Sequence, residues 1–506
     1  MQTTQNKKKM QASVLVSLAL VAAWLIYTRW SDSRRQQRHK FPPGPPCLPI
    51  IGNMLQLGPN PHKSLANLSK TYGPLMFLKL GNQSVVVASS PETAKEVLQK
   101  HGHVFLTPFT PNAVCVHGHG DVSMAMLPAA SDIWKKIRRI AREKLFSSQA
   151  LQATQIIRRE RLRKLNDYIN MCSGEGLPMN VGEATFTTMS NLMFATLFSI
   201  EIIQYGVINK KFKEHVKAIT RYMGVPNVAD FFPIFAPLDP QGLRRKLTHH
   251  LGSLLELVQS LIDQRLQERT ASSYHKKSDF LETLLDLSQG NEYDLSIKEI
   301  KHLFVDLIIA GSESSAATTE WAMVELLLHP DKMGKLKAEL KSVIGEKSIV
   351  EESDISRLPY LQATINEVFR HHPPAPLLAP HVAEDEARVN DYIIPKNAKI
   401  FVNVWAIMRD PSIWNDPESF EPERFINNDI NFGGQHLELI PFGSGRRICP
   451  GLPLASRMLH CMVATMCHNF DWKLEKGAES KKLQREDVFG LALQKKTLLR
   501  AIPIKV

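Results

Sequence analysis

Residues 441–451 read Pro441-Phe-Gly-Ser-Gly-Arg-Arg-Ile-Cys-Pro-Gly451, and an apolar helical stretch begins near Leu452. Gly443 and Gly445 permit a tight turn with close backbone approach. Cys449 then stands directly before a helix N-terminus, where unsatisfied N–H groups favour a thiolate over a thiol. Arg447, two residues earlier, is placed to bind a carboxylate. The plainer reading is a buried cysteine in a glycine-rich turn, and neighbouring elements must decide between the two. The other cysteines are Cys47, Cys115, Cys172, Cys461 and Cys467. They are sparse and unclustered, which argues against a disulfide scaffold and for a reducing compartment. Cys461 and Cys467 lie in the apolar helical run and read as core.

Upstream, the most definite element starts at Ser296, with Glu299 three residues on, a capping-box pattern. Helical periodicity runs to His329, where Pro330 stops it. That span is roughly 48 Å at the usual rise, long enough to cross a whole domain. Near its middle Ala310-Gly-Ser-Glu-Ser-Ser315 is a poor helix interior, since Gly311 costs about 1 kcal/mol relative to Ala. A local fault in a central helix commonly marks a functional site. Leu75 to Ser89 reads as a hairpin turning near Gly81-Asn82, and from Pro91 to Gln289 helical periodicity dominates. Glu367 and Arg370 fall one turn apart on a helix ending before Pro373-Pro374. Pro422-Glu-Arg-Phe425 supplies Arg424, and Trp134 and Arg138 form a Trp-x-x-x-Arg pair.

Taken together, these segments resemble the cytochrome P450 family, whose signature Phe-x-x-Gly-x-Arg-x-Cys-x-Gly is matched at every specified position from Phe442 to Gly451. The resemblance implies a mainly α fold with small β-sheets, and haem b as cofactor. Cys449 would be the axial iron ligand, Phe442 would shield its sulfur, and Arg447, Trp134 and Arg138 would hold the propionates. His381 stands in Ala379-Pro-His381, where the family commonly has arginine. Glu367, Arg370 and Arg424 would form a buried structural triad rather than a catalytic one, because buried charges persist only when paired. Glu313 and Ser314 correspond to the acid and alcohol that deliver protons to bound oxygen. Many relatives carry Asp and Thr there, and serine lacks the methyl that fixes a threonine rotamer.

The ends and the charge add partners. Ala12 to Tyr27 is an uncharged apolar stretch of 16 residues, short against the ~20 residues of a spanning helix. More cations follow it than precede it, which places the next domain on the cytoplasmic side; a cleaved signal peptide is the other reading. The expected organisation is an anchor over 1–30, a basic, proline-rich hinge over 31–46, and one haem domain over 47–506, in the endoplasmic reticulum membrane. An apolar loop, Phe231-Phe-Pro-Ile-Phe-Ala-Pro-Leu238, is either a core linker or a surface dipping into lipid through Phe231, Phe232 and Phe235. The net charge of +12 fits anionic lipid or an acidic protein partner. Nothing resembles a nucleic-acid-binding motif. No flavin or nucleotide motif is present, so electrons are expected from NADPH through a separate reductase, docked at Lys135, Lys136 and Arg139. His117, His119, His249, His250, His371 and His372 read as loop or surface residues without a third zinc ligand.

By family position, Phe109, Val114, Val305, Ile309, Leu377, Leu378 and Leu491 would line a lipophilic pocket. Gly52-Asn-Met-Leu-Gln-Leu-Gly58 and Gly224-Val-Pro-Asn-Val-Ala-Asp-Phe-Phe232 resemble the plant terpenoid-oxidising members that include ferruginol synthase. That likeness implies oxidation of an abietane diterpene phenol of the 11-hydroxyferruginol type at carbon 20. A geraniol-type monoterpenol hydroxylase, a haem-thiolate hydroperoxide isomerase or dehydratase, and a haem sensor remain open alternatives.

Overall fold

The computed structural model describes residues 40–206, 210–290, 293–347, 349–475 and 485–506. The apolar stretch 12–27 and the anchor assigned to 1–30 lie outside these residues. Among them, no helix is long and apolar enough to cross a membrane.

The helices used below are α1 (Asp132–Lys144), α2 (Val181–Phe198), α3 (Lys210–Gly224), α4 (Leu243–Arg269), α5 (Ile297–Leu328), α6 (Pro359–His371) and α7 (Leu452–His468). Helix α5 begins and ends where its caps dictate. Ser296 Oγ accepts from the Glu299 N–H at 3.2 Å, and Glu299 Oε2 accepts from the Ser296 N–H at 2.7 Å. The helix stays continuous through Ala310–Ser315, so Gly311 marks a close approach rather than a break. A Cβ there would lie 2.8 Å from Met193 Sδ of α2. Helices α2 and α5 are buried along most of their lengths, and α7 packs on α5 with Cys467 Sγ 3.8 Å from Met323 Sδ. Cys461 and Cys467 are core residues.

The largest sheet has the order β1 (Leu75–Leu80), β2 (Gln83–Ala88), β5 (Lys399–Val402), β4 (His381–Val382) and β3 (Thr107–Pro108). The β1–β2 hairpin turns at Gly81, whose φ is +55°, as its glycine allows. Pairing of His381 with both Pro108 and Ile400 fixes His381 in the sheet's interior. The hairpin tip also ties two apolar segments together: the Gly81 N–H donates to Ile51 O at 3.2 Å and the Asn82 N–H to Phe231 O at 2.9 Å. Phe231 packs inward. The exposed apolar groups are instead Ile234, Phe235 and Leu238, which shifts the expected lipid-facing set along the loop.

Glu367 and Arg370 on α6 are fully buried. Arg370 donates from Nε to Glu367 Oε2 at 2.6 Å and from Nη2 to Oε1 at 2.8 Å, and Arg424 Nε reaches Oε1 at 3.1 Å. The remaining guanidinium N–H groups donate to the Met408, Pro417, Ser419 and Asn415 carbonyls. Two cations share one carboxylate, and backbone oxygens complete their hydrogen bonding.

Candidate active site

Between α1, α2, α5 and the start of α7 lies a cavity of about 440 Å³. Cys449 contributes to its wall. Gly443 and Gly445 adopt φ of +73° and +70°, and a Cβ on Gly445 would meet Leu98 O at 2.3 Å, so glycine is required there. The turn is closed by the Cys449 N–H donating to Phe442 O at 3.0 Å. Burial pushes the Cys449 thiol up; the Gly451 and Leu452 N–H groups and Arg138 oppose that push without reversing it. The helix N-terminus therefore does not by itself make a thiolate. A bound metal cation would.

Trp134 and Arg138, one turn apart on α1, face the same cavity, as do Phe442, Arg447 and His381. Arg447 donates to the Leu106, Leu127 and Ala125 carbonyls at 3.0, 2.9 and 3.4 Å, and Arg138 donates to Ile448 O. The Arg447 guanidinium carbon stands 5.0 Å from the Trp134 ring centroid. Burial, with Arg138 beside it, lowers Arg447 to about 10. Neither arginine forms an ion pair among the described residues. Two partly buried cations without a carboxylate, at a cavity backed by a cysteine, fit a metal-bearing group with two acidic arms, as haem is.

His381 fits that role less well than expected. Burial pulls its imidazole down to about 4, and Nδ1 lies 2.5 Å from Phe105 O. A neutral ring that donates from Nδ1 leaves only a lone pair on Nε2. It can therefore donate to a propionate only as the imidazolium.

Ser314 faces the cavity, with Oγ donating back to Ala310 O at 2.8 Å. Glu313 points to one side, where Gln494 Nε2 donates to Oε1 and Oε2 is buried with no hydrogen-bond partner among the described residues. Burial pushes this carboxyl up. Glu313 can thus carry a proton, while Ser314 alone touches the space in which one would be used.

Of the seven expected pocket residues, Val114, Ile309, Leu378 and Leu491 line the cavity. Three do not. Phe109 follows Pro108 on an extended segment, so it faces the other way, with Lys399 Nζ 3.5 Å from its ring centroid. Leu377 is buried in a separate cluster with Leu65 and Met76. Val305 sits in the core, roughly opposite the Asp306–Ala310–Ser314 stripe at 100° per residue.

Sequence reading also missed wall residues. Met124, Met126, Met189, Met193 and Met223 line the cavity, supplying flexible, polarizable surface. So do His119 and Asp306. His119, His371 and His372, expected as loop or surface residues, are not at the surface: all three are buried. His372 stacks on Trp321 and lies 2.7 Å from Glu325. His249 and His250 do acquire a neighbouring third histidine, His215 of α3. Lys136 is not free for docking, because it pairs with Glu299 at 2.8 Å.

A family model described as Cytochrome P450 matches residues 42–500. Across 98% of its length the chain is 78% identical to 11-hydroxysugiol 20-monooxygenase of Salvia miltiorrhiza, covering all of that protein. It is 75% identical to a carnosic acid synthase of Rosmarinus officinalis, over 98% of this chain and 100% of that one. To ferruginol synthase of Salvia miltiorrhiza it is 47% identical, over 97% and 98% of the two chains.

Proposed function

The chain belongs to the cytochrome P450 family and is an oxidoreductase, and from that premise we propose that it oxidises carbon 20 of an abietane diterpene phenol. The observation that carries this reading is its likeness, along nearly the whole chain, to the 20-monooxygenase and the carnosic acid synthase. The largely apolar wall with a few polar groups suits such a ligand. A monoterpenol hydroxylase and a hydroperoxide isomerase are not favoured by these relatives.

In this reading Cys449 holds haem b through its iron, and Arg138, Arg447 and Trp134 hold the propionates. Bound haem supplies the oxygen-activating redox chemistry that an unactivated methyl group requires, with the cysteine thiolate favouring O–O cleavage. The protein's own part is positioning and proton supply. The methionines and Ile309, Leu378 and Leu491 shape the cavity and exclude water, because a carbon held near the reacting centre gains far more than a loosely bound one. Ser314 hands on a proton at the cavity face, replenished from the side where burial raises the Glu313 carboxyl. The electron donor is NADPH through a separate reductase. Lys135, Arg139 and Arg142 are exposed on α1 beside the cysteine loop, and their pairs with Asp132 and Glu143 lie at the surface. An acidic partner can exchange into them, unlike the pair of Lys136 with buried Glu299.

Membrane attachment, with the endoplasmic reticulum as the site, rests on the apolar N-terminal stretch and on Ile234, Phe235 and Leu238. Flotation of a 40–506 fragment with liposomes should weaken when Ile234 and Leu238 become serine; equal flotation would remove the loop from the interface. The functional test is turnover by microsomes containing a reductase and NADPH, fed abietane phenols and read by mass spectrometry. Oxygen gained at carbon 20 is expected. NADPH-dependent turnover of geraniol with neither binding nor product from any abietane would overturn the reading.

A further inference from the structure

One group on the otherwise largely apolar wall does not serve the cysteine site. His302 and Asp306 lie one turn apart on α5, and His119 comes from the loop before α1. His119 Nδ1 is 2.8 Å from His302 Nδ1, and His119 Nε2 is 3.2 Å from Asp306 Oδ1. Ser123 Oγ lies 2.9 Å from both Asp306 oxygens, and the Met124 N–H donates to Oδ2 at 2.8 Å. His119 and His302 are 3% and 2% exposed, yet His119 and Asp306 both reach the cavity.

The hydrogen bonds set a direction. Burial, with His119 beside it, pulls the His302 imidazole down to about 4, so the ring is neutral. A consistent arrangement has His302 Nδ1–H donating to His119 Nδ1 and His119 Nε2–H donating to Asp306. Asp306 is then held by three protein donors: His119, Ser123 and the Met124 N–H. A carboxylate offers about four acceptor positions. One remains for a donor in the cavity that Asp306 lines, where its side chain keeps 10% exposure. An acceptor-only group in an apolar wall is costly unless something in the cavity donates to it.

We propose that Asp306, fixed in place by His119, Ser123 and His302, is the group that recognises the phenolic O–H of the substrate. This rests on the reading of the cavity as the site of a diterpene phenol and names the residues that orient it. Asp306 lies about 6 Å along the helix axis from Ala310 and about 12 Å from Ser314. Accepting the O–H there fixes one end of a rigid skeleton and limits which carbon reaches the Cys449 side. Asp306 binds the ligand; His119, His302 and Ser123 are positioning residues.

The test uses the haem-loaded full chain in microsomes, with 11-hydroxyferruginol and its O-methyl ethers as probes. Binding is read from the haem spectral shift and product by mass spectrometry. Wild type should prefer the free phenol over the fully methylated ether by about tenfold or more, the scale of a hydrogen bond to a charged group. Asp306→Asn should bring that ratio to within about threefold, because the neutral amide accepts more weakly and adds a donor. His119→Gln should fall between the two and carries the test if Asp306→Asn fails to load haem. A merely structural role lowers both ligands equally and leaves the ratio unchanged. If wild type turns over the phenol and the variants keep its ratio, the recognition site is wrong and the carbon-20 reading stands. If wild type neither binds nor oxidises any abietane phenol, both fall.

Discussion

Arg370 and Arg424 share Glu367 and a ring of backbone carbonyls, whereas Arg138 and Arg447 have carbonyls but no carboxylate among the described residues. Both pairs are drawn from water, and both carry positive charge. The first pair is complete within the protein and therefore holds the fold together. The second pair faces the cavity with its charge uncompensated, and what completes it must come from outside the chain. Buried charge thus separates scaffold from site: the paired set should matter whether or not a cofactor is bound, and the unpaired set far more when it is.

The sharpest way to break this distinction is Glu367→Ala, which strands two guanidinium groups at once. A loss of about 3–5 kcal/mol is expected, with most folded protein gone; normal thermal stability would refute the network. Arg447→Ala should behave in the opposite sense. The cofactor-free protein should lose only about 1–3 kcal/mol from the arginine's contacts to backbone carbonyls, less than Glu367→Ala costs, while haem dissociates about tenfold to a hundredfold faster, as a lost charge-assisted hydrogen bond would allow. Equal damage to the cofactor-free form would place Arg447 with the scaffold. At the cavity face, Ser314→Ala should keep ligand binding but lower product per NADPH consumed by about tenfold or more, with Ser314→Thr tolerated. An unchanged ratio would remove Ser314 from proton delivery.

A smaller effect comes from protons. The folded pKa of His302 is depressed to about 4, below the usual value of about 6.5 in the unfolded chain. Between those values the unfolded state binds more protons, so stability is fully present above about pH 6.5 and declines as pH falls toward 4. The His302 contribution at pH 5.5 is about 1 kcal/mol. Comparing denaturation at pH 7.5 and 5.5 should show a drop that shrinks in His302→Gln; an identical drop in the variant would assign it to other groups.

How far the sequence reached depended on whether an element carried its own punctuation. The limits of α5 follow from Ser296, Glu299 and Pro330, and the hairpin from Gly81, because caps and turns are local chemistry. The Cys449 loop was legible for the same reason: its glycines need left-handed backbone and its cysteine abuts a helix start. The triad needed the family likeness, since Glu367 and Arg370 alone spell an ordinary surface pair. Facing was harder. Leu377 and Leu378 are adjacent and alike, yet a positive φ of +52° at Leu378 turns one to the cavity while the other joins a separate cluster. Val305 has the apolar character of a wall residue, but helix phase turns it into the core. The burial of His119 has no local signal, because its partners, His302 and Asp306, lie 183 and 187 positions downstream, and no local pattern announces a contact made only by folding.

On the proposed reading, a metal-bearing cofactor bound through Cys449 completes the cavity. The most direct test is the carbon monoxide spectrum of the reduced full-length protein, with Cys461→Ala as the control for loss of an ordinary core thiol. Wild type and Cys461→Ala should show the band typical of thiolate-ligated haem, and Cys449→Ala should lack it. The band persisting in Cys449→Ala, or disappearing only in Cys461→Ala, would contradict the account.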